Sequence, residues 1–324
     1  MSRFTDRVFR DLCKAQGADV LVSEFVQADS LLHNDRRAWE SVDFTSTQRP
    51  MGAQIFGSTP ESMGRAACLL ADRLAPDFID LNFGCPAERV VDQQAGSSLL
   101  REPARIGQIV AAVVRAVPDL PVTAKIRIGW DATRIVAPEV GRIVEDAGAQ
   151  ALAIHGRTKV QRYAGEADWN VIEATAANLR IPVIGNGNVT RRTDVVRLRD
   201  HSAVAGLMIG RAALGHPWIF RELKALLRGE PMPAPPTAAE RWHVLLDYTA
   251  GYAEFTCRGS SAENLRGLRA KIKSFTKGLP GGASLRERID TIHTLEELRA
   301  LRDDYLAGVF EPAAVLQESS ASGV

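Results

Sequence analysis

The sequence contains no apolar run approaching the ~20 residues that a membrane-spanning helix needs, and its opening, MSRFTDRVFR, lacks the apolar core of a secretion signal. A chain that stays in the cytosol and has no membrane partner is expected. Cysteine is sparse: Cys13, Cys68, Cys85 and Cys257 stand far apart with no C-x-x-C pair, which argues against both a metal site and a disulfide framework. Charge of one sign is also missing. Forty basic residues against 39 acidic leave a formal net charge of +1, so any affinity for nucleic acid has to come from local clustering.

What is present is the composition of an ordinary globular protein, 45% apolar and 24% charged. A length of 324 residues suits a barrel of typical size with a small appended unit. From residue 18 to about 211, short β-branched runs alternate with polar turns and helix-period segments, the signature of serial βα architecture. The predicted strands are 20–25, 52–56, 78–83, 122–127, 150–155, 182–186 and 204–209. Between them, 104–117 carries Ile106, Ile109, Val110, Val113, Val114 and Val117 at helical spacing, an apolar stripe suited to the outside of a parallel sheet.

A closed (β/α)8 TIM barrel needs eight strands, whereas this chain opens directly into a helix-like segment around Thr5 to Cys13. The expected fold is therefore α/β, a TIM barrel whose first strand is missing or truncated, with translation starting upstream of Met1; the alternative is a seven-stranded or doubly wound sheet. The proline-rich stretch 229–236 reads as a linker that closes a barrel domain of residues 1–228. Beyond it, Thr237 with Glu240 and Thr294 with Glu297 have capping-box spacing. They open helices striped by Trp242, Leu245, Leu246, Thr249 and Tyr252, and by Leu295, Leu298, Leu301 and Tyr305. Residues 237–310 read as a small helical domain and 311–324 as a disordered tail.

Barrel active sites form at the C-terminal ends of the strands. Gln54, the NFGCP turn from Asn82 to Pro86, Lys125, Arg127, His155 to Arg157, Asn186 to Asn188, and Gly210 with Arg211 all fall there. Gly185, Gly187 and Gly210 let backbone N–H groups approach a ligand closely, and Arg211 adds charge, so the last two strands suit a phosphate-bearing cofactor. Each glycine turn taken singly reads equally as loop geometry. Lys125 ends an otherwise apolar strand, where an ammonium needs an anion or an electron-rich carbonyl; alternatively it snorkels to solvent. His155 is either a ligand to cofactor or substrate or a satisfied structural histidine. Cys85, held between Gly84 and Pro86, should present an accessible, protonated thiol to the mouth as a proton donor. The other three cysteines lie in helix-like stretches and read as small core residues.

In order and spacing, TDRVFR (5–10), QIFGS (54–58), DLNFGCP (80–86), AGSSLL (95–100), KIRIGW (125–130), HGRT (155–158), GEADW (165–169), IGNGNVT (184–190) and IGRAALGHPWIF (209–220) resemble the bacterial branch of the tRNA-dihydrouridine synthase family over nearly the whole chain. The resemblance implies a barrel that binds FMN, reduction of the flavin by NADPH, and a helical C-terminal domain that helps hold tRNA. It implies that Gln54, Lys125, His155, Asn186, Gly187, Asn188, Gly210 and Arg211 surround FMN. Cys85 matches the proton donor, which would protonate C5 of uridine while hydride reaches C6. Asn82, Arg127 and Arg157 would position the uridine. Arg266, Arg269 and Lys271 would contact the RNA; residues 258–277 carry six basic side chains against the single acid Glu263, a stripe that could track phosphates or could be a solvated helix face. No obligate protein partner is suggested.

Two features depart from the family. Its Ala-Pro-Met-like turn before TDRVFR is reduced here to Met1 and Ser2, which predicts weak FMN binding by a chain starting at Met1. RGLRAK (266–271) has Ala270 and Lys271 where relatives often have lysine and histidine, which bears on the tRNA position chosen. No dinucleotide fingerprint distinguishes NADPH from NADH. Two other functions compete: an FMN barrel acting on a free pyrimidine, in the manner of dihydroorotate dehydrogenase, and a tRNA-binding protein that has lost catalysis. The basic helical appendage argues against the first, and Cys85 with a full flavin set against the second.

Overall fold

In the computed structural model, which describes residues 4–189, 195–196, 203–256 and 265–310, one parallel sheet organises the chain. Its strands are β1 (Leu21–Val22), β2 (Val26–Gln27), β3 (Met51–Phe56), β4 (Phe78–Phe83), β5 (Val122–Arg127), β6 (Ala151–His155), β7 (Val183–Asn186) and β8 (Gly206–Met208). They pair in the order β1-β3-β4-β5-β6-β7-β8, with β2 also on β3. Among the described residues no ladder joins β8 to β1. Among the described residues the result is a parallel (β/α) barrel-like sheet, unpaired between β8 and β1.

The strand predicted over 20–25 is two short strands rather than one. Ser23 is the reason. Its hydroxyl accepts the N–H of Gln54 at 2.9 Å and donates to the Glu24 carbonyl at 2.8 Å. A side chain thereby takes a position that a backbone acceptor would hold in a regular ladder.

Parallel pairing keeps opposed residues on one side of the sheet. The outer side is apolar and fully buried: Ile79, Leu81, Phe83, Ala124, Ile126, Leu152 and Ile154 lie beneath the helices. Helix α1 is Arg7–Ala15, α2 is Ala28–Leu32, α3 is Arg36–Val42, α4 is Pro60–Leu74, α5 is Glu88–Val91 and α6 is Pro103–Ala116; α7 (Ala137–Asp146) and α8 (Trp169–Ala176) follow. The expected stripe on α6 forms, with Ile106, Ile109, Val110 and Val113 buried. The inner side is polar and less enclosed, since Thr123, Lys125, Ile184 and Asn186 are only half-buried. Its floor is Phe78, whose ring lies 2.2 Å from where a Cβ on Gly52 would sit, so position 52 admits only glycine.

After α9 (Ile219–Arg228) the chain turns at Gly229, φ +69°, a left-handed cap that favours glycine. Four helices follow: α10 (Ala238–Thr256), α11 (Arg269–Phe275), α12 (Gly282–Thr291) and α13 (Leu295–Leu306). Both predicted capping boxes form. Thr237 and Glu240 exchange bonds of 2.7 and 3.2 Å, and Thr294 and Glu297 exchange bonds of 3.1 and 3.2 Å. Residues 311–324 lie outside the described residues.

These helices grip α1 through a buried polar knot. Asp6 caps α1 by accepting the Phe9 N–H, and its other oxygen takes Lys271 Nζ at 2.6 Å and Tyr248 OH at 2.9 Å. The Lys271 ammonium also donates to Tyr248 OH at 2.6 Å and lies 4.8 Å from the centroid of the Phe9 ring. Lys271, expected to contact RNA, is 4% exposed and cannot present its charge to a phosphate. Two other basic side chains of the run are engaged as well. Lys273 pairs with Asp290 at 2.6 Å, and Arg269 donates to the Ile292 carbonyl at 2.8 Å. Lys277 is exposed, while Arg258 and the side chain of Arg266 lie outside the described residues. Three of the six basic side chains inferred as a stripe, Arg269, Lys271 and Lys273, therefore serve as mortar between helices.

Truncating one member of a buried pair strands the other charge, a loss of about 3 kcal/mol. Lys271→Ala is expected to lower the denaturation midpoint accordingly, and the double variant Lys271→Met with Asp6→Asn to recover most of it, as read by urea unfolding.

Candidate active site at the strand ends

The register of β4 to β7 carries the inner residues upward in rows. Asp80 lies beside Thr123, Asn82 beside Lys125, and Arg127 beside His155, which in turn faces Asn186. Every second residue of β4, from Phe78 through Asp80 to Asn82, faces this interior, and the strand then turns at Gly84.

Cys85 sits in that turn. Asn82 holds it, its Oδ1 accepting the N–H groups of Gly84 at 3.1 Å and Cys85 at 2.9 Å. From the far side Ser97 donates its hydroxyl to the Cys85 carbonyl at 2.8 Å. The sequence predicts an accessible thiol, but the residue is 8% exposed and packs with Phe56, Val90 and Ala95. Burial pushes the thiol pKa up, against the pull of the Ala87 N–H and of Arg127, Arg89 and Lys125. The group therefore carries its proton at neutral pH.

Gln54 and Asn82 are joined beneath it. Asn82 Nδ2 donates to Gln54 Oε1 at 2.8 Å, and Gln54 Nε2 donates to Asp80 Oδ2 at 2.5 Å. Asp80, which was not singled out from the sequence, also accepts the Thr123 hydroxyl at 2.5 Å. Burial raises its pKa, offset by those two bonds and by Lys125. The D-x-N alternation inside DLNFGCP is the signal that could have placed it on the inner face.

Lys125 has no hydrogen-bond or ion-pair partner among the described residues. Burial first, then Arg127, lowers its pKa to about 8, with Asp80 and Cys85 acting the other way. His155 is pushed down to about 2 by burial and by Lys125, Arg127, Arg157 and Arg211, and so is neutral. Arg157 Nη1 lies 3.3 Å from His155 Nε2; a guanidinium can only donate, which leaves the imidazole proton on Nδ1.

The two arginines expected to position substrate differ. Arg127 spends Nε on the Gly84 carbonyl at 2.9 Å and Nη1 on the carbonyls of Thr158 at 2.8 Å and Arg162 at 2.9 Å, leaving Nη2 without a hydrogen-bond partner among the described residues. Arg157 spends all three nitrogens, on Ala164 and Gly165 carbonyls, on Asn188 Oδ1 and on His155. It therefore braces the loop, and one N–H of Nη1 remains beyond these four bonds. That loop raises Tyr163, also missed from the sequence. The ring is 52% exposed, with the guanidinium of Arg211 4.2 Å and that of Arg127 5.7 Å from its centroid.

The ends of β7 and β8 meet the requirements of a phosphate. The N–H groups of Gly187, Asn188, Gly210 and Arg211 bond to no other described residue, and Arg211 is exposed beside them. Gly187 has φ +124°, and a Cβ there would lie 2.7 Å from Ala167. Trp169 supports the turn from below, donating to the Gly187 carbonyl at 3.0 Å. Asn186 Nδ2 is used on the Met208 carbonyl at 2.7 Å, which ties β7 to β8. An unpaired ammonium, a neutral imidazole and a cradle of free N–H groups on one recess fit a flavin mononucleotide.

Two measurements follow from these charges. The drop from 10.5 to about 8 puts the cost of charging Lys125 near 3 kcal/mol, less what water entering the recess returns. Between those pH values the unfolded chain holds a proton that the folded chain has lost, so the cost fades as pH rises through that window. Lys125→Met should then raise the melting temperature of the cofactor-free protein at pH 7 by a few degrees, an advantage that shrinks towards pH 10. In proteins labelled at histidine Cε1, the His155 resonance is expected not to titrate between pH 5 and 8.

The sequence matches the family described as dihydrouridine synthase (Dus) over residues 1–309. The tRNA-dihydrouridine synthase B of Pseudomonas putida is 38% identical over 325 residues, covering 100% of this chain and 94% of that protein. The protein of the same name from Pseudomonas aeruginosa is 39% identical over 90% of this chain and 86% of its own length. A probable tRNA-dihydrouridine synthase of Mycobacterium tuberculosis is 35% identical over 94% and 80%. Among solved structures, histamine dehydrogenase from Rhizobium sp. 4-9 superimposes with a TM-score of 0.52 at 12% identity, over 94% of this chain and 60% of that one, a likeness of fold alone. By the family match and by these identities, the chain belongs to the dihydrouridine synthase family.

Proposed function

We propose that the protein reduces uridine in tRNA to 5,6-dihydrouridine, with FMN bound in the barrel mouth and NADPH as the reductant. The observation that carries this reading is a Cys85 turn fixed by Asn82 next to a recess that holds Lys125, unpaired among the described residues, in a chain of the dihydrouridine synthase family.

When bound, FMN supplies the hydride for C6 of the uracil ring. The chain's own residues supply the rest. The N–H groups of Gly187, Asn188, Gly210 and Arg211 hold the phosphate, and Lys125 balances negative charge on the ring system. Cys85 Sγ gives its proton to C5, so that the C5=C6 bond becomes saturated, and the thiolate left behind regains a proton from solvent. Arg127 Nη2 is a donor free to meet a uracil oxygen. Arg89, exposed at the rim, suits the phosphates of an RNA whose target base has left its stack, whereas Arg162 beside it is paired with Glu88. In this reading residues 1–228 form the catalytic domain and 237–310 a helical domain that supports the tRNA, and the protein works in the cytosol.

The test mixes the protein with unmodified tRNA, FMN and NADPH and follows nucleosides by mass spectrometry for a gain of two hydrogens on uridine. Gain on tRNA and none on free uracil or orotate is expected; gain on the free bases alone would overturn the reading. Cys85→Ala should keep the flavin colour and tRNA binding and lose at least about a hundredfold in dihydrouridine formation.

A further inference from the structure

Asp80 is a fully enclosed acid on the inner face of the sheet, and nothing in the proposed chemistry uses it. Its environment is a directional series. Thr123 and Gln54 donate to it, Asn82 donates to Gln54, and the N–H groups of Gly84 and Cys85 donate to Asn82. Each amide in the middle has two orientations of nearly equal shape. The ends do not share that freedom, because one presents an oxygen to Gln54 and the other presents only N–H groups. Turning Gln54 alone would set oxygen against oxygen at Asp80 and nitrogen against nitrogen at Asn82. Turning Asn82 alone would set its NH2 against two peptide N–H groups.

We propose that Asp80 is a positioning residue that anchors the lower end of the Gln54–Asn82 amide relay, whose upper end the Gly84 and Cys85 N–H groups orient, and that through this relay it holds the Cys85 turn in its closed form. The polarity is the same whether or not the acid holds a proton, since its single O–H would then be given to Thr123 and Oδ2 would still accept from Gln54. What the position needs is an acceptor that faces Gln54 and cannot turn into a donor. Asp80→Asn meets that need while Thr123 keeps its hydroxyl: the new amide oxygen accepts from Gln54 and its NH2 donates to Thr123 Oγ1. With Thr123→Val added, the NH2 loses its acceptor, and the amide that anchors Gln54 is itself no longer held in place.

The test reads the turn directly and needs no cofactor. In the cofactor-free protein, the alkylation rate of Cys85 by iodoacetamide is followed by peptide mass spectrometry, with Cys68 as the internal control. Asp80→Asn should stay within about twofold of the parent protein. Asp80→Leu and the double variant Asp80→Asn/Thr123→Val should each expose the thiol and react at least fivefold faster at Cys85, with Cys68 unchanged. If Asp80→Leu does not fold, the double variant decides. Parent-like Cys85 rates in the folded double variant would overturn the proposal, as would an Asp80→Asn rate matching that of the double variant, which would make charge rather than the anchoring acceptor the determinant. In single-turnover work, which rests on the proposed function, the double variant should slow transfer to tRNA at least tenfold and leave reduction of the bound flavin by NADPH unchanged. Absence of any transfer in the parent protein would remove that reading and leave the alkylation result standing.

Discussion

Parallel pairing in register is the constraint on which this molecule depends. It sends every second residue of each strand to one side, so the choice of side chain at alternate positions decides what is core and what is site. Ile79, Leu81 and Phe83 anchor the helices, while Phe78, Asp80 and Asn82, interleaved with them, floor and line the recess. The same six residues thus build the stability of the barrel and the polarity of its mouth. A slip of one residue would exchange the two.

The charges inside the recess are out of balance by design of the site. Lys125, Arg127, Arg157 and Arg211 converge, and Asp80 is held below them in bonds to neutral partners. Such an arrangement is costly for an empty protein and favourable once an anion arrives, which couples cofactor binding to folding stability. The helices beyond residue 237 are tied to the barrel by the opposite device, a charge pair closed in on itself. Asp6, Lys271 and Tyr248 satisfy one another and leave little for a ligand.

How much of this is legible in the sequence follows from distance along the chain. Strand positions from residue 51 onward, the stripe on α6 and both capping boxes are local patterns, and they match the structure; the residues expected at the strand ends lie there. The break after Val22 does not, because it depends on a Ser23 hydroxyl reaching Gln54 on the next strand. The basic run misleads for the same reason. Its composition is visible in 258–277, but the partner that buries Lys271 is Asp6, 265 positions away, and the partner of Lys273 is Asp290. Asp80 and Tyr163 escape notice because a lone acid in a strand and a lone aromatic in a loop have no pattern until their neighbours in space are known.

A sheet unpaired between β8 and β1 among the described residues has a consequence for the protein in concentrated solution. An unclosed sheet offers free peptide groups along its margins, and long flat margins are templates for strands of other molecules. Among the described residues the marginal strands are Leu21–Val22, Val26–Gln27 and Gly206–Met208, two, two and three residues long. Short marginal strands are one of the ways in which a sheet edge is blunted against pairing with other molecules.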